Sequence, residues 1–103
     1  MRTRIRMGPG LEYGRVTQLV NCYQAPLESA VDQLQISVDR IAGPGGDQLY
    51  RCRVVARLKR QPIAEVVETQ CDLSLAVNRA LARTVRSMSR QQPMAPLSGS
   101  SLT

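Results

Sequence analysis

Apolar and polar residues alternate along three short segments of the chain, and less regularly along a fourth, and this period of two predicts β-strands. The predicted strands cover residues 3–7, 34–39, 49–60 and 63–69. The third has the clearest alternation: one face is apolar, and the other carries Arg51, Arg53, Arg57 and Lys59. This strand predicts a sheet with one face packed on a core and one face in water.

Two other segments place apolar residues at helical spacing. In the first, residues 11–34, Pro26 predicts either a kink or a helix that restarts with the proline in its first turn. The second covers residues 73–90, with Asp72 as a candidate N-cap and Pro93 as a stop. Its apolar face is predicted to contain Leu73, Val77, Leu81, Thr84, Val85 and Met88.

The order of these elements predicts an α+β fold: a single β-α-β-β-β-α domain, a four-stranded sheet with two helices on one face. A helix joins the first two strands, so they should be parallel neighbours, and strands two to four should form an antiparallel meander. Each helix has one apolar stripe, so both must cover the same face of the sheet. We expect this domain to span residues 1–91. Residues 92–103 contain Pro, Ser and Gly but no charge, and they are predicted to be a disordered tail.

The composition excludes much catalytic chemistry. The 103 residues include no histidine, which removes Ser-His-Asp and Cys-His nucleophile pairs and any His-ligated metal site. The carboxylates form no evident acid/base pair. We therefore predict a protein that is not an enzyme, with no catalytic residues, no metal, no cofactor and no small-molecule substrate.

Cysteine usage and hydropathy bear on the location of the chain. Cys22, Cys52 and Cys71 lie far apart with no CxxC motif, which favours a reducing cytoplasm over a disulfide scaffold. Cys52 is predicted to be a core residue. The basic N-terminal segment has no apolar run behind it that would make a secretory signal, and no stretch approaches the roughly 18 apolar residues of a membrane span. We expect a cytoplasmic protein without a membrane partner.

The net charge of +6 is carried almost entirely by arginine, with 13 Arg and one Lys. Arginine forms bidentate bonds to phosphate and stacks on bases, which favours RNA as a partner, although a GC-rich genome would give the same bias.

One array lies on the last helix, where Arg79, Arg83, Arg86 and Arg90 are spaced four, three and four residues apart. They fall in one narrow arc that should lie opposite the apolar face. This row is either an RNA contact or a solvated face, and the lack of Asp and Glu from 73 to 90 favours RNA.

A second array lies on the predicted strands. It comprises Arg2, Arg4 and Arg6 on the first strand with Arg51, Arg53, Arg57 and Lys59 on the third. If both outward faces belong to the helix-free side of the sheet, that side is strongly positive, and Glu65 or Glu68 is placed to neutralise part of it. The sequence leaves two interpretations open, a phosphate-binding surface and a solvated sheet face. Aromatic residues are nearly absent, so recognition of RNA shape and phosphate is favoured over base stacking.

Several motifs give the chain a family resemblance. They are Gly43-Pro44-Gly45-Gly46-Asp47, Tyr50-Arg51-Cys52-Arg53-Val54, Asp72-Leu73, Ala76-Val77 and Arg79-Ala80. A Gly-Pro-Gly-Gly loop before an Arg-Cys strand, followed by a helix that starts D-L-x-x-A-[IV]-x-R-A, resembles the short bacterial members of one family. These are the ribosome hibernation-promoting factors and ribosome-associated inhibitors, also called ribosomal subunit interface proteins.

The resemblance implies a function as well as a fold. Members of that family occupy the channel for mRNA and tRNA in the small ribosomal subunit and silence idle ribosomes. The expected partners are therefore the small subunit and its ribosomal RNA, and the expected roles are translation regulation and ribosome hibernation under stress. An alternative is a protein-interaction module that keeps the fold but has lost ribosome binding.

Overall fold

The computed structural model describes residues 1–59 and 63–91. The elements in chain order are β1 (Arg2–Met7), α1 (Tyr13–Cys22), α2 (Gln24–Glu28), β2 (Val31–Ala42), a 3-10 turn (Pro44–Gly46), β3 (Gln48–Leu58), β4 (Ala64–Gln70) and α3 (Leu73–Gln91). One sheet has the strand order β1-β2-β3-β4. β1 is parallel to β2, and the other two pairs are antiparallel. The predicted α+β class and the predicted strand pairing are confirmed, and the predicted tail, 92–103, lies outside the described residues.

The segment between β1 and β2 differs most from its prediction. The chain leaves the helical conformation at Tyr23, which separates α1 from α2. Pro26 then lies in the first turn of α2, where the missing proline N–H leaves no intrahelical bond unmade. The predicted restart of the helix, with Pro26 in its first turn, is therefore confirmed.

The predicted helix boundary at residue 34 was wrong, because Val31 and Leu34 belong to β2. Both are fully buried, so their helical spacing only reflected their place in the core. Pairing with β3 extends β2 from Val31, opposite Leu58, to Ala42, opposite Gln48. Long-range pairing of this kind overrides a local periodic pattern, which is why the predicted strand 34–39 was too short.

The core lies between one face of the sheet and the three helices. It is almost entirely aliphatic, as the composition requires, and its largest fully buried side chains include Leu27, Leu34, Ile36 and Leu81. Thr84 is buried on α3 and donates its hydroxyl to the Ala80 carbonyl at 2.8 Å. Within the described strands every buried apolar side chain lies on this side of the sheet, and the other side faces water.

Cys52 belongs to this core, as predicted, and is fully buried. Burial, with a smaller effect of the Glu68 carboxylate, raises the pKa of its thiol to about 12. A thiol that stays protonated at neutral pH is a poor nucleophile and metal ligand. Cys22 and Cys71 are exposed.

The start of α3 is fixed by Asp72, as the sequence predicted. Its Oδ2 accepts a hydrogen bond from the Leu75 N–H at 3.1 Å, and its carbonyl accepts one from the Ala76 N–H at 3.0 Å. The hydrogen bond to the side chain satisfies the Leu75 N–H, which has no partner inside the helix. The negative charge of Asp72 also interacts favourably with the positive end of the helix dipole.

Replacing Asp72 by Ala should therefore lower the free energy of unfolding by about 1 kcal/mol. Urea unfolding followed by circular dichroism measures this change. Asp32→Ala, at an exposed site on β2, serves as the control and should change the stability by less than about 0.5 kcal/mol. Equal effects of the two substitutions would show that Asp72 does not cap α3.

A glycine-rich turn joins β2 to β3. The Gly43 N–H donates to the Asp47 carbonyl at 2.6 Å, and Gly45 and Gly46 have φ values of 77° and 85°. Glycine adopts such left-handed conformations at little cost, which explains why positions 45 and 46 of the turn are glycines.

Among the helices within the described residues, none is long and apolar enough to cross a membrane.

Candidate nucleic-acid interface

The side of the sheet that faces away from the helices is here called the open face. Strand register places residues of β1 and β3 on it together. Arg6 of β1 pairs with Ser37 of β2, which pairs with Arg53 of β3. The same register makes one row of Arg2, Gln33 and Arg57. The two predicted strand arrays therefore share one face.

The open face carries two parallel columns of arginine. The β1 column is Arg2, Arg4 and Arg6, and the β3 column is Arg51, Arg53 and Arg57, all of them exposed. Alternate residues of a strand are about 7 Å apart, and two strand spacings put the columns about 10 Å apart. Lys59, which the sequence placed on the same strand, lies just after β3, where its N–H donates to the Ala30 carbonyl at 3.1 Å.

Acidic neighbours neutralise only a small part of this face. Arg53 Nε lies 2.5 Å from Glu65 Oε2, so this arginine is paired, as the sequence anticipated for Glu65. Within residues 1–59 and 63–88, the other five arginines of the two columns form no ion pair. Asp39 is opposite Arg51 in the strand register, but within the described residues its carboxylate forms no salt bridge with that arginine. Six guanidinium groups thus face two carboxylates, which leaves a cationic surface that attracts anions.

A depression of about 610 Å³ lies in the open face between the two columns. Arg6 bounds it on one side and Arg51 and Arg53 on the other, with Ser37 and Asp39 of β2 between them. The open face is therefore concave near the end of β1. A groove with cationic walls holds an anionic chain better than a flat surface, because its low-dielectric walls focus the field.

The arginine row of α3 is less uniform than the sequence suggested. Arg79 and Arg86 are exposed, but Arg83 forms a salt bridge with Glu68 and donates to the Val67 carbonyl at 3.1 Å. Arg83 lies at the edge of the helix contact with β4, so its placement opposite the apolar face was wrong. Arg90 belongs to α3, and its side chain is outside the described set.

Glu68 lies on the helix side of β4 and does not neutralise the open face. Hydrogen bonds from Arg83 and from Gln70 Nε2, at 3.2 Å, hold its carboxylate in place. The Arg83 bond is the main cause that lowers the pKa of Glu68 below its ordinary value of 4.5, in spite of desolvation. Sequence reasoning grouped Glu68 with Glu65, although the strand alternation places them three residues apart and therefore on opposite faces.

The Glu68–Arg83 pair should make stability depend on acid pH. A carboxyl group whose pKa is lower in the folded state stabilises the fold above its unfolded pKa, and this contribution is lost as the pH falls through the folded pKa. Glu68→Gln should therefore cost about 1 kcal/mol at pH 7 and less than that at pH 3. Urea unfolding of both proteins at the two pH values measures this difference.

Glu65→Gln is the matched control for that experiment, because its pair with Arg53 is about half exposed. It should change the stability by less than about 0.5 kcal/mol at pH 7. A Glu68→Gln penalty that is the same at pH 3 and pH 7 would contradict the role of the ion pair.

The part of the chain that the structure describes contains no group of three or more potential metal ligands from His, Cys, Asp and Glu. The open face offers guanidinium groups, which donate hydrogen bonds to phosphate or carboxylate oxygens. The arrangement can bind a polyanion along the open face.

Comparison with solved structures shows which proteins share this arrangement of strands and helices. The N-terminal domain of Thermus thermophilus Protein Y superposes with a TM-score of 0.60 at 18% identity, covering 89% of this chain and 100% of that one. A ribosomal subunit interface protein from Coxiella burnetii superposes with a TM-score of 0.70 at 9% identity, covering 87% and 96%. The chain has the fold of ribosomal subunit interface proteins.

That finding confirms the fold that the sequence resemblance implied. No protein-family model matches the chain, and a search of curated proteins gives no match. Identity to both solved structures is low, so the likeness concerns the fold alone.

Proposed function

We propose that this protein is a cytoplasmic, non-enzymatic ribosomal-RNA-binding protein that docks in the mRNA and tRNA channel of the small ribosomal subunit. By filling that channel it blocks translation and keeps idle ribosomes in hibernation under stress. One observation carries the proposal: five arginines of the open face share one side of the sheet without an acidic partner in the described structure. The Coxiella burnetii structure with this fold is named a ribosomal subunit interface protein, which points to the ribosome as the place where such a surface would act.

The distribution of charge supports a binding mode in which ribosomal RNA contacts the protein on two sides. The open face lies on one side of the sheet, and α3, with exposed Arg79 and Arg86, covers the other side. A protein that binds a single exposed RNA helix needs one basic face, whereas a channel lined with ribosomal RNA offers phosphates to both. Binding through phosphates is electrostatic and needs little base-specific contact.

Competition with the natural occupants of the channel tests the proposal. Purified small subunits are incubated with the protein, with and without bound mRNA and tRNA, and separated on a sucrose gradient. We expect co-sedimentation with empty subunits and at least a tenfold weaker association with loaded ones. Equal association with both would contradict the channel, and absence from both would contradict ribosome binding.

Affinity capture from cell extract before and after nuclease treatment addresses the protein-interaction alternative. Loss of the captured ribosomal proteins after RNase supports binding through RNA. Partners that remain after RNase would instead identify an acidic protein as the ligand of the arginine surfaces.

A further inference from the structure

A column of uncharged polar side chains lies between the two arginine columns. Gln33, Gln35 and Ser37 of β2 occupy it, and Asp39 continues it into the depression. The first three are half-buried, yet within the described structure their side chains take part in no hydrogen bond. Amide and hydroxyl groups that find no partner in the protein are available to a ligand.

Each of the two arginine columns can contact one row of phosphates, so the open face fits a ligand with two such rows. A single-stranded RNA offers one row, and its bases would need aromatic side chains to stack on. None of the described open-face residues is aromatic, since Tyr50 lies on the core side of β3. A duplex has a second row of phosphates on the other side of a groove. Its two rows can contact the two arginine columns, and the groove then lies over the column of polar side chains between them.

The polar column indicates which groove faces the protein. The minor groove of A-form RNA is wide and shallow, and it displays 2′-hydroxyl groups that both donate and accept hydrogen bonds. The Gln33 and Gln35 amides and the Ser37 hydroxyl can do the same. The ionised Asp39 carboxylate can only accept, so it suits a 2′-hydroxyl or the amino group of guanine, the one base donor in that groove.

We propose that the open face binds the minor groove of an A-form RNA duplex, with the arginine columns on its two phosphate rows and the β2 polar column on its 2′-hydroxyls. This inference rests on the proposed function and names the kind of ribosomal RNA segment that the open face binds. Gln33, Gln35 and Ser37 then determine specificity for RNA over DNA, whereas the arginines supply most of the affinity.

Fluorescence anisotropy with three probes tests this assignment. They are a short RNA duplex, a DNA duplex of the same sequence and one strand of the RNA. We expect the full chain to bind the RNA duplex about tenfold more tightly than the other two. Tight binding of all three alike would overturn the inference.

A variant that removes the polar groups but keeps every charge tests the role of β2. Gln33→Ala, Gln35→Ala and Ser37→Ala together should reduce the RNA over DNA preference about tenfold and leave the salt dependence of binding unchanged. Gln18→Ala with Asn21→Ala removes two exposed amides of α1 and is the control, with no change expected. Circular dichroism establishes that each variant is folded, and a triple variant that keeps the preference would overturn the role of β2.

Sedimentation with small subunits separates this inference from the proposed function. If the intact protein binds subunits but shows no preference for duplex RNA, the open-face assignment is wrong and the proposed function stands. If it prefers duplex RNA but does not bind subunits, the proposed function is wrong and the assignment stands.

Discussion

Replacing Arg6 and Arg51 together by glutamine should weaken binding to small ribosomal subunits about a hundredfold. The two side chains stand on opposite sides of the depression in the open face, and neither forms an ion pair in the described structure. Each charge-assisted bond to a phosphate contributes about 1.5 kcal/mol, and about 1.4 kcal/mol corresponds to a factor of ten. Equilibrium sedimentation binding at about 0.1 M salt measures the change.

A matched pair of substitutions provides the control. Arg15→Gln with Arg40→Gln also removes two positive charges, but Arg15 pairs with Glu12 and Arg40 donates to the Gly10 carbonyl. Neither belongs to an arginine column, so we expect less than a threefold change, on the order of 0.5 kcal/mol. If both double variants weaken binding equally, net charge and not the open face determines affinity.

Leu81→Ala should lower the free energy of unfolding by about 3 kcal/mol, because it removes a fully buried side chain between α3 and the sheet. Domains of this size have stabilities of roughly 5–15 kcal/mol, so the variant loses a large part of the total. In thermal unfolding the midpoint should fall by roughly 12–24 °C.

Leu75→Ala is the control on the same helix, because the Leu75 side chain is 37% exposed. It should cost less than about 1 kcal/mol. Similar losses for the two leucines would contradict the orientation of α3 on the sheet.

The fold followed from the sequence wherever local pattern and tertiary packing agree. β3 alternates cleanly because one of its faces is dry and the other wet, and α3 has a capping aspartate and a single apolar stripe. Residues 31–34 were assigned to a helix because every third or fourth position of that segment is apolar. The spacing arises because α2 and then β2 each place apolar residues in the core. Such a segment is ambiguous until its pairing with β3 is known.

The candidate site followed from the sequence only in its residue types. Alternation placed the arginines of β1 and β3 on faces, but the register that puts both columns on the same side is a long-range property. The salt bridge between Arg83 and Glu68 was missed, since it joins α3 to an edge strand 15 residues away. The polar column of β2 was missed as well, because uncharged residues on a wet strand face give no signal by themselves.

The salt dependence of binding tests the central claim most directly. That claim is that five guanidinium groups of the open face, which have no acidic partner among the described residues, contact phosphates. Affinity of the intact protein for small ribosomal subunits is measured across a range of monovalent salt concentrations. Each phosphate contact adds about 0.7–0.9 to the magnitude of the negative slope of log affinity against log salt. The five open-face contacts therefore give a slope of about −4, and contacts of Arg79 and Arg86 on α3 make it steeper. A slope near zero would contradict the account, because binding would then not proceed through phosphates.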